Sequence, residues 1–466
     1  YQGARKNLSY FGRVNYDYKE RYLASFTARR DGSYAFGIDN KFANFFSGSL
    51  GWIVTAEDFF KPSFVDFLKI RGSYGSIGNE NVVPQYRRIT TGGPDYGSPV
   101  NSNGYNFDNI FYPGSTLGSL DNTALAWEKQ LQLNIGFDIT LFNNKISLSA
   151  DYYTRDIKGL LFGSRGSDYL GTIPTPTANI GSTETKGVDI TLTYNENINK
   201  DFKMSNAFTF TTSKNLVTAT NDDGSARVLG GSYFNGQSQT VTVFEKGFTP
   251  AYFYGYKTNG LFQTPEEIAN APTQTGAQPG DIRFVDINGD GVITAADQTK
   301  IGDPYPSFTM GWNLSLSFKN FDFTAFTYAS IGNDIYRAYE RNQNFTNKDR
   351  SVLGRWTGPG TTNDAKTPRY SFTDANSNIR VSDRYVEDGT FVKVKNLQLG
   401  YTFPASLIKV FKGLRIYGQV RNAFVFTKYT GFDPEIQNGA GLLETGVDRG
   451  TYPQPRVYSL GLDIKL

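Results

Sequence analysis

Cysteine and histidine are both absent from the 466-residue sequence, and methionine occurs only twice. Without cysteine there is neither a disulfide framework nor a thiolate metal site. Without histidine the commonest general base and the commonest zinc ligand are gone, so a nucleophile–base pair has little to build on. The carboxylate pairs Glu266-Glu267 and Asp222-Asp223 are sequence neighbours, and nothing sets them across one substrate with separated pKa values. The chain reads as a non-enzyme. A strong charge of one sign is missing too: 47 Lys and Arg stand against 44 Asp and Glu, a net charge of +3. That near balance gives no electrostatic footprint for nucleic acid. No apolar run reaches the roughly 18 residues of a spanning helix, so a membrane role requires the other closed structure that satisfies its own backbone hydrogen bonds, a β-barrel.

What is present suits that structure. Tyr and Phe number 30 and 37, aromatics make up 15% of the chain, and Gly numbers 49, while mean hydropathy is only −0.43. Rings at two membrane interfaces with alternate residues facing a wet lumen give this composition. Period-2 alternation runs unusually far. Leu131, Leu133, Ile135, Phe137, Ile139 and Leu141 interleave with Gln132, Asn134, Gly136, Asp138 and Thr140. Phe308, Met310, Trp312, Leu314, Leu316 and Phe318 alternate with Thr309, Gly311, Asn313, Ser315 and Ser317, and the final residues Tyr458 to Leu466 repeat the pattern. Soluble strands usually stop at about five or six residues, whereas a tilted transmembrane strand needs about nine to eleven.

The connections supply an independent test, because outer-membrane barrels pair short periplasmic turns with long outer loops. Short links are expected at 17–20, 142–144, 195–201 and 319–320, with longer ones at 55–66 and 404–413. Long polar stretches lie between them, at 32–45, 76–126, 158–183, 213–307, 332–389 and 427–455. The rhythm predicts an all-β, transmembrane antiparallel barrel portion of about thirteen strands filling residues 1–466. The first strand would run inward and the last would end in the periplasm. An odd count, and an opening Tyr1-Gln2-Gly3-Ala4 that is no leader, imply earlier strands upstream. The competing architecture, tandem soluble sandwiches, does not need loops of about fifty residues.

Several segments, in order along the chain, resemble the SusC/RagA family of TonB-linked outer-membrane proteins. They are Phe67-Leu68-Lys69-Ile70-Arg71-Gly72-Ser73-Tyr74-Gly75, Leu125-Ala126-Trp127-Glu128-Lys129, Asn396-Leu397-Gln398-Leu399-Gly400-Tyr401-Thr402-Phe403-Pro404, Tyr429-Thr430-Gly431-Phe432-Asp433-Pro434-Glu435 and Tyr452-Pro453-Gln454-Pro455-Arg456. The resemblance implies a barrel of about 22 strands, with the plug domain, the TonB-contacting segment and the early strands outside this chain. It implies import of an oligosaccharide or peptide, a SusD-like surface lipoprotein as lid, and a dimer of such transporter–lipoprotein pairs. A passive porin, or a surface receptor without energised transport, is the alternative.

One motif follows a metal-spacing rule. Asp286, Asn288 and Asp290 fall at positions 1, 3 and 5 of an EF-hand-type loop, Gly291 at 6, Val292 with its carbonyl at 7 and Asp297 at 12. Hard oxygen donors at alternate residues suit Ca²⁺. Asp297 replaces the usual Glu, and an Asx-rich turn without metal is the other reading. The loop lies in the 213–307 stretch and would stiffen it as a structural calcium site. In the same stretch Tyr252, Phe253, Tyr254 and Tyr256, and in another loop Trp356, are candidates for stacking on a substrate or for packing within the loops. The basic pairs Arg29-Arg30 and Arg87-Arg88 stand near outer strand ends, where outer-membrane lipid and lipopolysaccharide phosphates are possible partners, against ordinary solvated charge.

Overall fold

The structure is a computed structural model describing residues 6–80, 104–108, 110–113, 122, 124–163, 177–220, 227–234, 238–340, 349–404, 411–436 and 441–465. Tyr1 to Ala4, the pair Arg87-Arg88 and the pair Asp222-Asp223 lie outside the described residues.

Thirteen long strands form one sheet in chain order, each antiparallel to its neighbour wherever the pairing is described. They are β1 (Asn7–Tyr18), β2 (Tyr22–Ser33), β3 (Phe42–Ile53), β4 (Val65–Asn79), β5 (Glu128–Leu141), β6 (Ile146–Gly163), β7 (Thr177–Asn197), β8 (Phe202–Ala219), β9 (Phe308–Phe318), β10 (Phe321–Ile331), β11 (Phe391–Thr402), β12 (Gly413–Thr427) and β13 (Val457–Lys465). The expected number of strands and the alternation of short and long links are both present. Strands β6 and β7 overrun the expected 158–183 loop, reaching Gly163 and starting at Thr177. Asn179 pins that extension: its amide nitrogen donates to the carbonyls of Ala126 and Gly159 at 2.8 and 2.9 Å, and its side-chain oxygen accepts from the Ala126 N–H.

The short links carry the backbone that tight turns need. Lys19 and Glu20 take φ of 56° and 54°, Phe142, Asn143 and Asn144 lie at 57–62°, and Lys319 is at 52°. These values match the left-handed turns that follow the right-handed twist of flanking strands. An aromatic side chain marks many of these ends, with Tyr18 stacked on Tyr22, Phe202 against Phe318 and Phe321 against Tyr401.

The chain divides into two compact units, one of residues 1–138, 151–186 and 217–225, the other of 139–150, 187–216 and 226–466. In the first, the register of β1 to β4 sets Val14, Phe26, Leu50 and Tyr74 on one face and Arg13, Ser25, Ser49 and Ser73 on the other. In the second, Leu316, Phe323, Leu399 and Leu460 share a face opposite Ser315, Thr324, Gln398 and Ser459. The apolar faces are bare: Leu460 is 84% exposed and Leu50 70%. A contiguous exposed apolar band of this extent requires an apolar solvent. The two buried apolar clusters of the second unit belong instead to the long connections.

The polar faces hold charge in closed groups. Arg71 on β4 donates to Asp138 on β5 at 2.9 Å and to Asp151 on β6 at 2.5 Å. Arg415 on β12 pairs with Asp322 on β10 at 2.6 Å and Asp463 on β13 at 2.9 Å.

Candidate functional site

In the second unit the long connections fold into a cap. Its largest apolar cluster unites Val241 and Phe253 from the 220–307 connection, Tyr336, Ala338, Val381 and Tyr385 from 332–390, and Val447 from 428–456. Backbone pairing ties the same segments. Strands Arg227–Phe234, Ser238–Glu245, Tyr252–Gly255 and Thr299–Gly302 make one sheet, while Asp334–Arg337 pairs antiparallel with Val386–Asp388 and parallel with Val447–Asp448. Side chains complete the splice. The Thr242 hydroxyl donates to the Leu443 carbonyl, Tyr429 to Asp448 at 2.6 Å, and Thr430 to Glu387 at 2.7 Å. Lys393, only 1% exposed, reaches from β11 to Asp433 at 2.7 Å and Glu435 at 3.0 Å. A buried ammonium is tolerated only with such partners.

The cap holds a concave cleft of about 320 Å³ whose lining includes Arg337, Tyr339, Glu340, Arg384, Tyr370 and Phe432. Arg384 is nearly buried and pairs with Glu340 at 2.7 Å, and Arg337 reaches both Glu340 and Glu387 at 3.5 Å. Tyr339 and Phe432 stand 5.8 Å apart, with Phe432 65% exposed. An exposed ring such as Phe432 beside fixed charges of both signs can take a polar solute that also carries apolar surface. Sequence reasoning missed this cleft. Its residues come from distant segments, and only Phe432, within the Tyr429 to Glu435 signature, carried any signal.

The expected aromatic run has another role. Tyr252, Phe253 and Tyr256 are buried. Tyr252 donates to Glu245 at 2.5 Å, Phe253 meets Tyr336 edge-on, and Tyr256 packs on Phe284 beneath Arg380. Burial and the Glu245 hydrogen bond hold the Tyr252 hydroxyl far above its usual pKa. These three rings are packed within the cap, the second of the two readings their sequence allows. Tyr254 is half-buried under Arg227. Trp356 is half-buried, its indole N–H donating to Gln263 at 3.1 Å, and it packs beside the cluster that contains Ile293.

The loop 286–297 folds as a closed, Asx-rich turn. Asp286 accepts the N–H groups of Gly289 and Gly291 at 2.7 and 2.8 Å; those glycines sit at φ 75° and 81°. Asn288 and Asp290 bond each other, and Asp290 accepts from the N–H of Val292. Asp297 is fully buried and accepts from the N–H groups of Ile287 and Thr294 at 2.9 and 2.7 Å, with Thr294 capping the following turn. Burial alone would raise the Asp297 carboxyl, yet the hydrogen bonds from Thr294, Ile287 and Asn288 hold it below the usual carboxylate range. Among the described residues no three Asp, Glu, His or Cys side chains converge closely enough to hold a metal ion. The donor types fit Ca²⁺ at positions 1, 3 and 5, while Asp297 is engaged with backbone.

The other charged motifs separate. Glu267 accepts from the Gln263 N–H, closing the start of the helix Pro265–Ala269. Arg29 pairs with Asp31 at 3.1 Å on the polar face, while Arg30 projects from the apolar face.

A sheet of membrane-length strands, bare on its apolar face and capped by folded connections, defines an outer-membrane β-barrel protein. Comparison with known proteins narrows the class. Residues 1–325 match the family described as TonB dependent receptor-like, beta-barrel. The chain is 35% identical to a TonB-dependent receptor of Formosa agariphila, over 98% of its own length and 45% of the relative's. It is 30% identical to the TonB-dependent receptor SusC of Bacteroides thetaiotaomicron, over 98% of the chain and 43% of the relative. Among solved structures it is similar to the RagAB peptide transporter, with TM-score 0.79 and 24% identity, covering 98% of this chain and 47% of that one. The chain belongs to the TonB-dependent receptors of the SusC/RagA type, in the bacterial outer membrane, and it spans about half the length of the curated relatives it matches.

Proposed function

We propose that this chain forms the wall and outer cap of an energised importer for a nutrient such as an oligosaccharide or peptide. The cap cleft bounded by Arg337, Glu340, Arg384, Tyr339, Tyr370 and Phe432 carries this reading, because a folded, mixed-charge pocket suits capture of a solute, whereas an open pore has no need of one. In this reading the short turns face the periplasm and the cap faces outward, a SusD-like lipoprotein closes over the cap, and TonB acts through the part of the protein outside this chain. Deletion of the gene should abolish uptake of the nutrient, and loss of TonB should do the same. Uptake that persists without TonB would return the protein to the passive porins, and binding without uptake would make it a surface receptor.

The same reading gives loop 286–297 a structural Ca²⁺, held by Asp286, Asn288, Asp290, the Val292 carbonyl and Asp297. What supports it is the donor spacing and the closed turn, in which Asn288 and Asp290 bond each other and Asp286 accepts the Gly289 N–H. Calorimetry with no Ca²⁺-dependent heat up to about 5 mM, the weak end for extracellular sites, would dismiss it.

A further inference from the structure

We propose that the cap cleft selects solutes that carry a carboxylate, which Arg337 and Lys366 receive beside the Phe432 ring. The inference rests on the importer reading above and deepens it by naming the chemistry of the solute.

The formal charges around the cleft nearly balance, so a preference has to come from how each group is bonded. The acidic side chains are engaged. Glu387, which is buried, accepts from the Thr430 N–H at 2.9 Å and from its hydroxyl at 2.7 and 2.8 Å. Glu340 accepts from Arg384 at 2.7 Å. Asp349 accepts the Ser351 N–H at 2.8 Å, and Asp374 takes the Asn378 N–H at 2.8 Å and the Asn378 side-chain nitrogen at 2.9 Å. A cationic solute would have to compete for acceptors already in use.

Two of the four lining cations are equally settled. Arg369 holds Asp281 through two bonds, at 2.7 and 3.2 Å, and Arg384 holds Glu340 with its guanidinium 4.4 Å from the centre of the Tyr385 ring. Arg337 and Lys366 differ from them. Arg337 is nearly buried, yet its contacts with Glu340 and Glu387 are both 3.5 Å, and among the described residues its Nε has no hydrogen-bond acceptor. Glu387 is held back by Thr430 and Glu340 by Arg384, so neither carboxylate is free to close on it. Lys366 is exposed and stands 3.7 Å from Glu387, beyond a hydrogen bond. A buried guanidinium gains free energy when its N–H groups meet a strong acceptor. An entering carboxylate is that acceptor, matching the guanidinium fork while the ammonium adds a second point charge.

The neighbouring rings suit the rest of such a solute. The Arg337 guanidinium lies 6.0 Å from the centre of the Tyr339 ring, and Tyr339 packs on the exposed Phe432. A carboxylate held at Arg337 therefore brings the adjoining part of the solute to Phe432. A neutral solute would meet the ring and leave Arg337 with its long contacts. Uronate-containing oligosaccharides and acidic peptides both offer the required group.

The test titrates the complete protein in nanodiscs, by calorimetry, with matched probes: trigalacturonate against its methyl ester, and a blocked tripeptide with a central glutamate against its glutamine and lysine counterparts. In at least one series the acid should bind about ten-fold tighter than its neutral partner, and that series identifies the source of the carboxylate. Lys366→Gln should cut the preference to about three-fold and Arg337→Gln should abolish it. Lys366 is exposed, so its variant reports on binding even where loss of Arg337 loosens the cap. Arg449→Gln, at a cap arginine that pairs with Glu444, should leave the preference unchanged. Equal binding of acid and neutral partner in both series, tighter binding of the lysine peptide, or a preference unaltered in both cleft variants would overturn the proposal. TonB-dependent uptake indifferent to the solute's carboxylate would overturn it while leaving the importer reading intact, whereas carboxylate-selective binding without uptake would do the reverse.

Discussion

Arg415 reaches Asp322 across an intervening strand: the two residues lie on β12 and β10, and their 2.6 Å contact passes over Gly400 of β11. A Cβ at position 400 would stand 2.5 Å from the Asp322 carboxylate and 2.6 Å from the Arg415 guanidinium. Gly400→Ala is therefore expected to separate the pair and to cost about 1–3 kcal/mol, as overpacking does. The midpoint of the heat-modifiable gel shift should fall, and Asp322→Asn should fall with it. An unaltered midpoint in G400A would show that the crossing contributes nothing to the wall.

Lys393 offers a sharper case, because it is buried between Asp433 and Glu435. Lys393→Met leaves two carboxylates facing each other without their ammonium, a change worth about 3–5 kcal/mol when a buried pair is broken. Segment 428–456 should become protease-sensitive while the gel shift of the wall stays put. Adding Asp433→Asn should restore part of the resistance, since it removes the stranded charge.

Asp297 predicts a pH dependence with a definite sign. Its folded carboxyl lies below the ordinary range because backbone N–H groups bond the ionised form. The stabilisation is thus fully present above the unfolded-state value of roughly 4 and is lost as pH falls through the depressed folded value. Hydrogen exchange at Ile287 and Thr294, corrected for intrinsic rates, should lose protection in that acid window. Asp297→Asn should exchange faster already at neutral pH and show little further change on acidification.

For the cleft, the exposed rings can be removed without disturbing the core. Tyr370→Ser with Phe432→Ser should leave the gel shift within the roughly ±0.5 kcal/mol typical of surface changes. Solute uptake at limiting concentration should fall about ten-fold if each ring contributes about 0.5–1 kcal/mol to capture. Unchanged uptake would exclude the cleft from the solute's path.

The wall was legible because its signal is local. Leu131 to Leu141 and Phe308 to Phe318 declare faces by strict alternation, and the turns declare themselves by spacing. The turn at 286–297 was legible for the same reason, since Asp286, Asn288, Asp290 and Asp297 lie within twelve residues. The cap was not. Tyr252, Phe253 and Tyr256 announce aromatic surface, but whether a ring faces solvent or a core depends on Tyr336 and Phe284, and on a parallel pairing of Tyr336 with Val447 that no local pattern encodes. The cleft depends on the same long-range packing, so Arg337 and Arg384 look in sequence like ordinary loop charges.

The cluster of Val241, Phe253, Tyr336, Val381 and Val447 also bears on how such a protein can be re-engineered. Any one connection, cut out and grafted onto another barrel, would carry a fraction of an apolar interior and the broken end of a parallel strand pair. The cap is therefore transplantable only as a set of three segments moved together.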